Sequence, residues 1–233
     1  MKRAATILLA AALALGLAAC SAAPDSSAPA AESAPAPEPA AADSAETADG
    51  GRILVAYFTV PESDGVDAVA GASRVVTDGE VLGNTQYIAQ LIARQTGGDL
   101  FAIQTVQEYP GSHDALLEFA YNERAEDARP ELAAALENPG DYDVVFLGYP
   151  NWNADLPMPL YTFLEQTDLS GKTIIPFVTH GGSGFSRTVQ TIQELQPDAT
   201  VVEDGLSLSR NSVPDAAAEV EAWVSGLGLS TGA

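Results

Sequence analysis

The segment TIIPFVTHGGSGF, residues 173–185, joins an apolar run to a polar loop that is rich in glycine. The run TIIPFV is typical of a buried β-strand, and the loop 179–185 follows its carboxyl end. Glycine lets a backbone come close to a bound molecule, because it carries no side chain. The loop is therefore a candidate site for a nucleophile, for a metal ion or for the edge of a flat cofactor.

Similar apolar runs recur along the chain, separated by segments with apolar residues at helical spacing. The predicted strands cover 52–58, 100–106, 143–150, 172–178 and 200–209, and the predicted helices cover 83–98, 112–136 (broken near Pro130), 158–167, 186–196 and 213–228. This alternation predicts an α/β domain in which helices cover both faces of one parallel sheet. In such sheets, ligands bind beyond the carboxyl ends of the strands.

The first twenty residues form a predicted export signal. Lys2 and Arg3 precede an apolar stretch, 4–17, which is short for a membrane span, and LAAC follows at 17–20. The pattern resembles a bacterial lipoprotein signal, in which Cys20 is acylated and becomes the mature N-terminus. The alternatives are an ordinary signal cut near Ala19 or a plain N-terminal anchor. Cys20 is the only cysteine, so its acylation would exclude disulfides and thiolate chemistry from the folded part.

Residues 21–50 consist largely of Ala, Pro, Ser and acidic residues. Such a composition buries too little apolar surface to offset the entropy of ordering, so we expect a disordered tether. As a random coil it would span roughly 30 Å. The remaining residues, 51–233, have the length of one domain with a full core. The expected organisation is an exported domain, tethered to the outer face of the cell membrane.

The chain is strongly acidic, with a formal net charge of −22. Loss of Lys2 and Arg3 with the signal would remove two positive charges and leave −24. Lys172 would then be the only lysine. The charge disfavours binding to nucleic acid or to anionic lipid through the domain, because both need clustered basic side chains. The charge is typical of a solvated surface, and the alternative is a preference for cationic substrates or for protein partners, such as a redox partner, with a basic surface.

The loop after the first predicted strand starts at Thr59 and ends at Gly83, Asn84 and Thr85, where a helix begins. A helix N-terminus offers free backbone N–H groups and the positive end of a dipole, and the two threonines add hydroxyl donors. The loop has no lysine, so it is not the phosphate loop of nucleoside triphosphatases. It is a candidate phosphate site, and the alternative is a simple helix cap.

The loop YPNWNADLPMP, 149–159, follows the third predicted strand and places Trp152 among Asn and Pro residues. Tryptophan has a large apolar face, which suits a flat ring at the mouth of a sheet. The alternative is that Trp152 packs on a neighbouring helix.

Serine esterase chemistry is a further interpretation of the loop 179–185, with Ser183 as nucleophile beside His180. The spacing departs from G-x-S-x-G because Phe185 stands at the second glycine, and a pair three residues apart is poorly placed for a triad. The only other histidine, His113, lies in a predicted helix. Two histidines without a free thiol are a weak zinc set, and the sequence has no calcium-binding loop motif.

Taken together, the motifs GYPxW, LPMPxYTFLE, DLSGK and PFxTHGGSGF resemble those of the flavodoxin family over nearly all of 52–211. The resemblance implies a three-layer α/β sandwich with a five-stranded parallel sheet in the order 2-1-3-4-5, and one FMN at the strand ends. The residues that it implies for FMN binding are Thr59, Gly83, Asn84, Thr85, Pro150, Asn151, Trp152, Asn153, Ala154, Thr179, His180, Gly181, Gly182, Ser183, Gly184 and Phe185.

The chain departs from the flavodoxin pattern in two places. Relatives often carry Ile-Trp-Trp-Gly where this chain has residues 151–154, so that one aromatic is lost and a glycine becomes Ala154. An insertion, 60–82, also interrupts the phosphate loop. The expected function is electron transfer, or reduction of a small acceptor, by a tethered FMN protein whose negative charge lowers the flavin potential. The alternative is a flavodoxin-fold module that has lost FMN and binds another small ligand or a protein.

Overall fold

The computed structural model of the protein describes residues 51–62 and 73–229. The predicted signal peptide with Cys20 and the predicted tether, 21–50, lie outside these residues. The strands are β1 Ile53–Tyr57, β2 Arg74–Thr77, β3 Glu80–Gly83, β4 Asp99–Ala102, β5 Val144–Pro150, β6 Thr173–His180, β7 Thr200–Val201 and β8 Leu206–Ser209, and the helices are α1 Asn84–Thr96, α2 His113–Ala125, α3 Met158–Gln166, α4 Thr188–Leu195 and α5 Ala217–Gly226, with 3₁₀ turns at Pro139–Asp141 and Val213–Asp215. No described helix has both the length and the apolar character to cross a bilayer.

The main sheet is parallel, with the strand order β4-β1-β5-β6 and then β7 and β8, which both pair with β6. This order confirms the predicted 2-1-3-4-5 arrangement. The fifth strand, predicted over 200–209, is divided into β7 and β8. Glu203 and Asp204 are exposed in the gap between them, and acidic residues are poor strand formers.

The sheet separates two hydrophobic cores, because alternate side chains of a strand point to opposite faces. One core contains Ile53, Val55 and Tyr57 of β1 with apolar residues of α1 and α5. The other contains Leu54 and Ala56 with apolar residues of α2, α3 and α4. Burial on both faces explains why the strands are continuous apolar runs rather than alternating ones. The result is the predicted three-layer sandwich.

The helix predicted over 112–136 is shorter than expected. It ends at Ala125, and Leu132 forms an isolated antiparallel bridge with Thr105 instead. Pro130 has no N–H to donate and disfavours helical geometry at the residue before it, so the helix does not resume. The prediction for 126–136 was therefore wrong, and the strand predicted to 106 likewise ends early, at Ala102.

The 60–82 insertion contains a β-hairpin that was not predicted. Strands β2 and β3 pair antiparallel, with Thr77 opposite Glu80. The two turn residues, Asp78 and Gly79, have φ angles of 51° and 81°, as a type I′ turn requires. Asp-Gly between two apolar runs is a strong hairpin signal, so the sequence contained the information. Because β3 leads directly into α1, the hairpin stands beside the predicted phosphate loop.

Candidate functional site

A cleft of about 340 Å³ opens where the carboxyl ends of β5 and β6 meet the first residues of α1 and α2. Its volume falls within the range of about 300–1,000 Å³ that is usual for small-molecule sites. The cleft contains residues from all three predicted loops, although these are far apart in the sequence. The predicted residues that line it are Asn84, Pro150, Asn151, Trp152, Thr179, His180, Gly181 and Ser183.

The other predicted residues do not line this cleft. They are Thr59, Gly83, Thr85, Asn153, Ala154, Gly182, Gly184 and Phe185. The Phe185 side chain packs against the core between the sheet and helices α2–α4. Several of the remaining residues support the lining residues from behind or shape the loops that carry them.

Thr59, Gly83 and Thr85 form a compact group at the start of α1. A Cβ atom on Gly83 would lie 2.0 Å from the Thr59 Oγ1, so only glycine fits beside this threonine. The Thr85 Oγ1 lies 2.9 Å from the Thr179 Oγ1, and both residues are almost fully buried, at 1% and 4% exposure. This hydroxyl pair joins the predicted phosphate loop to the end of β6.

Two backbone amides at the N-terminus of α1 already have hydrogen-bond acceptors within the protein. The Gly83 N–H donates to the Gln86 side-chain oxygen (3.2 Å), and the Asn84 N–H donates to the Ser73 carbonyl oxygen (3.0 Å). Helix geometry leaves the next two amides, those of Thr85 and Gln86, without intrahelical acceptors. The positive end of the helix dipole lies at the same place. An anion at this helix start therefore meets two amides rather than four.

The Trp152 loop folds into a tight turn. Trp152 and Asp155 exchange two backbone hydrogen bonds, of 3.2 and 3.0 Å. The residues between them, Asn153 and Ala154, have φ angles of 53° and 62°, which is the left-handed region that favours glycine. Arg124 of α2 donates to the Asn153 carbonyl oxygen and forms an ion pair of 3.4 Å with Asp155, so α2 holds the turn in place.

Packing within the protein covers most of the Trp152 indole, which is 7% exposed. The indole makes an edge-to-face contact with Phe58 (centroids 5.4 Å apart) and a tilted one with Tyr109 (5.7 Å). The Tyr109 hydroxyl donates to the Glu123 carboxylate at 3.0 Å, which fixes that ring. Trp152 therefore belongs to the core and also lines the cleft.

The loop after β6 contains glycines with the positive φ angles that this residue tolerates. Gly182 and Gly184 have positive φ angles, of 134° and 58°, and a Cβ atom on Gly182 would meet nothing within 4 Å. The His180 Nδ1 accepts the Gly182 N–H at 2.9 Å. Burial lowers the pKa of His180, so the neutral imidazole is favoured, with its proton on Nε2.

An esterase pair is not formed among the described residues. The His180 Nδ1 accepts a backbone N–H, and the His113 Nδ1 faces the Glu62 carboxylate at 2.8 Å. Neither bond involves Ser183. The Asn151 side chain instead ties this loop to its neighbour, because its Nδ2 donates to the Gly184 carbonyl oxygen at 2.7 Å.

Five residues that line the cleft were not predicted, namely Ser73, His113, Leu116, Leu117 and Arg210. Arg210 follows β8, and its N–H donates to the His180 carbonyl oxygen at 2.8 Å. Its guanidinium would lie 3.8 Å from a Cβ atom on Gly181. Arg210 could have been predicted from the sequence, because it follows β8 at the carboxyl edge of the sheet, where ligands usually bind.

Two buried polar atoms of lining residues lack a hydrogen-bond partner within the described part of the chain. They are the Ser73 Oγ and the Asn151 Oδ1. Buried polar atoms are nearly always paired in native proteins, with protein, water or ligand. A polar ligand in the cleft would supply the missing partners.

Solved structures with the same fold include two Bacteroides proteins described as flavoproteins. The B. eggerthii protein is 26% identical, with a TM-score of 0.53, and the match covers 78% of this chain and all of that one. The B. uniformis protein is also 26% identical (TM-score 0.50; 71% of this chain and 97% of that one). A Lactobacillus acidophilus flavoprotein in complex with FMN is 17% identical (TM-score 0.51; 72% and 99%) and shows the fold alone.

None of the curated proteins matches the chain. The flavodoxin family model matches residues 73–227, which is more than half of the chain. The strand order, the cleft at the carboxyl edge of the sheet and this match agree, and the chain belongs to the flavodoxin family.

Proposed function

We propose that this protein binds FMN in the cleft and transfers electrons, or reduces a small acceptor, outside the cell membrane. The observation that carries the proposal is the meeting of three sequence-distant loops in one cleft. Thr179–His180, Trp152 and the first residue of α1 all line it. The FMN-bound relative from L. acidophilus has the same fold. When bound, FMN supplies the redox chemistry, and the protein supplies its position and electrostatics.

The end of the cleft that would hold the flavin ring fits a flat, polar-edged group. Gly181 and Gly182 are exposed, and the space beside Gly182 is open. The backbone can therefore approach a ring edge closely. The unpaired Asn151 Oδ1 is an acceptor for a ring N–H, and the neutral His180 has an Nε2–H for an acceptor atom. The exposed edge of Trp152 would contact the ring.

The end of the cleft that would hold the phosphate relies on fewer groups. A phosphate would have to extend past the lining residue Asn84 to the start of α1, where the amides of Thr85 and Gln86 remain for it and the Thr85 and Thr59 hydroxyls are the nearby donors. In the pair with Thr179 only one hydrogen lies between the two oxygens. If Thr179 donates, the Thr85 hydroxyl keeps its own hydrogen for the phosphate. This orientation makes Thr85 a charge-assisted donor.

Arg210 places a positive charge at the cleft of a chain that is acidic overall. The chain carries −22 overall, yet Arg210 is the only lysine or arginine among the lining residues. A positive charge at the cleft favours the anionic form of a reduced flavin, and so it offsets part of the effect of the distant acidic residues. Arg210 would therefore raise the flavin potential locally.

The tether is a separate part of the proposal. The sequence of the signal, with Cys20 in its lipobox, and the composition of 21–50 support an exported protein held by lipid. The acidic surface supports a redox partner with a basic face. A tethered domain on roughly 30 Å of chain would meet partners near the membrane surface.

A flavodoxin-fold module that has lost FMN is the second candidate. The observation that favours it is the internal use of the Gly83 and Asn84 amides by Gln86 and Ser73. A phosphate would have to bind without them.

One titration separates the two candidates. The purified full chain is mixed with FMN and with riboflavin, and quenching of flavin fluorescence is followed. Tight binding of FMN, with weaker binding of riboflavin, supports the first candidate. Absence of binding to either flavin by a folded protein supports the module that has lost FMN.

A further inference from the structure

A row of three contacting side chains leads from the cleft to a second cavity: Trp152, Tyr109 and Glu123. We propose that this row is a relay that carries oxidising equivalents away from the cleft. When an oxygen-derived radical removes one electron from the Trp152 indole, Tyr109 returns the electron and Glu123 takes the phenolic proton. The inference goes beyond the proposed function and does not depend on it, because no step involves a flavin.

The Trp152 and Tyr109 rings are close enough for direct electron transfer. Their centroids lie 5.7 Å apart. Edge-to-face contacts with Phe58 (5.8 Å) and Phe119 (5.2 Å) hold the Tyr109 ring in place. A phenol is much easier to oxidise than the benzene ring of phenylalanine. Among these packed rings, Tyr109 is therefore the electron donor for an oxidised Trp152.

The Tyr109 hydroxyl has a base within hydrogen-bond distance. Its O–H faces the Glu123 carboxylate, and both carboxylate oxygens lie 3.0 Å from the phenolic oxygen. The Gln107 Nε2 donates to the same carboxylate. Two donors converge on this group, as an ionised carboxylate requires, because it can only accept. Glu123 is 7% exposed, and burial raises the pKa of its carboxyl, which makes it a stronger base than an exposed glutamate.

Oxidation of this phenol has to be coupled to loss of its proton. Burial and the neighbouring charge of Glu123 raise the pKa of Tyr109, so the phenol is protonated at neutral pH. Removal of an electron alone would leave a positive charge on a ring packed among aromatic side chains, and burial of a charge is costly. Transfer of the proton to Glu123 removes that positive charge and also the buried negative charge of the carboxylate.

Glu123 lines a second cavity, of about 440 Å³, which shares no lining residue with the cleft. Two other acidic residues of its wall, Glu126 and Glu131, are exposed, so water reaches the cavity. Arg129 also lines it, but its guanidinium is paired with Glu165 at 2.8 Å. The proton that Glu123 gains can therefore leave to water on the side away from the cleft.

The relay balances in electrons, protons and charge. The oxygen-derived radical takes one electron from Trp152 and leaves an indole radical cation. One electron then passes from Tyr109 to the indole, the phenolic O–H bond breaks, and an O–H bond forms on Glu123. The products are a neutral indole, a neutral tyrosyl radical and a carboxylic acid, which gives its proton to water. A small thiol restores the phenol by supplying one electron and one proton.

The test uses the full chain without flavin and with Trp223→Phe. The chain has two tryptophans, so Trp152 is then the only indole. A laser pulse at the long-wavelength edge of the indole band ionises tryptophan without exciting tyrosine, and a scavenger removes the ejected electron. Transient absorption should show the indole radical decaying and the tyrosyl radical rising with one rate constant. The transfer should be slower in heavy water, because a proton moves with the electron.

Three variants in this background assign the roles. Tyr109→Phe keeps the packed ring but lacks the phenol, and should abolish the tyrosyl signal that accompanies decay of the indole radical. Glu123→Gln keeps a hydrogen-bond acceptor but loses the base. It should slow the transfer at least about tenfold, since a positioned base contributes about 10²–10⁴-fold. Tyr121→Phe is the control, because it removes a phenol that is 62% exposed on α2, and the transfer should be unchanged.

Three results would overturn the relay. An unchanged tyrosyl signal in folded Tyr109→Phe would mean that another tyrosine is the donor. An unchanged rate in folded Glu123→Gln would exclude Glu123 as the base. Equal rates in ordinary and heavy water would exclude a coupled proton, and this measurement needs no variant of the relay itself. Uptake of FMN is measured separately, and a chain that binds no FMN would defeat the proposed function while the relay stands.

Discussion

The hydroxyl pair between Thr85 and Thr179 should be energetically coupled. The two oxygens are 2.9 Å apart and almost fully buried. Replacing Thr85 by Val removes one partner and leaves the other hydroxyl buried without it. An unsatisfied buried hydroxyl costs about 1–3 kcal/mol. We therefore expect Thr85→Val, and likewise Thr179→Val, to lower the free energy of unfolding by about that amount.

The double variant Thr85→Val/Thr179→Val should lose much less than the sum of the single losses. It leaves no hydroxyl unpaired, and exchanging both partners for apolar groups of similar shape can be nearly neutral. Urea unfolding of the four proteins, followed by far-ultraviolet circular dichroism, gives the coupling energy as a double-mutant cycle. Thr85→Ser keeps the hydroxyl and is the matched control.

The same variants test the phosphate role of Thr85. A charge-assisted bond to phosphate is worth about 1.5–3 kcal/mol, so Thr85→Val should lose roughly 10- to 150-fold in FMN affinity. Riboflavin lacks the phosphate, and its affinity should change little. Thr85→Ser should retain most of the FMN affinity. Titrations are made at a temperature where all the variants are folded.

Two results would refute this account of Thr85. If the two single losses in stability simply add in the double variant, the hydroxyls are not coupled and the 2.9 Å contact has no energetic meaning. If FMN and riboflavin lose affinity equally, Thr85 acts through packing of α1 and not through the phosphate.

Three other predictions concern the Trp152 loop, His180 and the lipid anchor. Ala154→Gly should raise the free energy of unfolding in urea by roughly 0.5–1 kcal/mol, because relief of the left-handed backbone (about 1–2 kcal/mol) exceeds the added entropy of glycine in the unfolded chain. A loss of stability would contradict this prediction. The control is Ala218→Gly at an exposed position of α5, which should lower the stability. Burial lowers the pKa of His180, so protonation of this side chain opposes folding. The free energy of unfolding should therefore fall as the pH drops below about 6.5, and His180→Gln should reduce that fall. An identical pH profile in the variant would contradict this prediction. Cys20→Ala should release the protein from membranes in fractionation without detergent, since acyl chains contribute about 0.8 kcal/mol per buried methylene; a variant that stays bound would exclude lipid as the anchor.

The sheet was predictable from sequence because its strands are buried on both faces. Residues 53–57 and 144–150 are continuous apolar runs, which cannot be mistaken for surface segments. The hairpin was not predicted, although Asp78-Gly79 is a strong turn signal. The helix beyond Ala125 was overestimated because Ala and Glu residues favour helix, whereas Pro130 prevents it.

The candidate site was predictable only where it follows strand ends along the chain. Trp152 and the loop after β6 lie directly after predicted strands, and ligands usually bind beyond the carboxyl ends of parallel strands. The pairing of Glu62 with His113 joins residues 51 positions apart through space, and no local pattern records it. The same holds for the contact between Thr85 and Thr179. Sequence indicates which loops meet, whereas side-chain partners depend on how those loops pack.

The closeness of Thr59 and Gly83 has a consequence for how the insertion can vary among related proteins. The chain leaves β1 just before Thr59 and enters α1 just after Gly83, and a Cβ atom on Gly83 would lie 2.0 Å from the Thr59 Oγ1. The two ends of the insertion therefore lie side by side. Each doubling in the length of a flexible loop adds only about 0.6 kcal/mol of closure entropy. Segments of different length can therefore stand between Thr59 and Gly83, which would give related proteins new lids or docking elements beside the predicted phosphate loop.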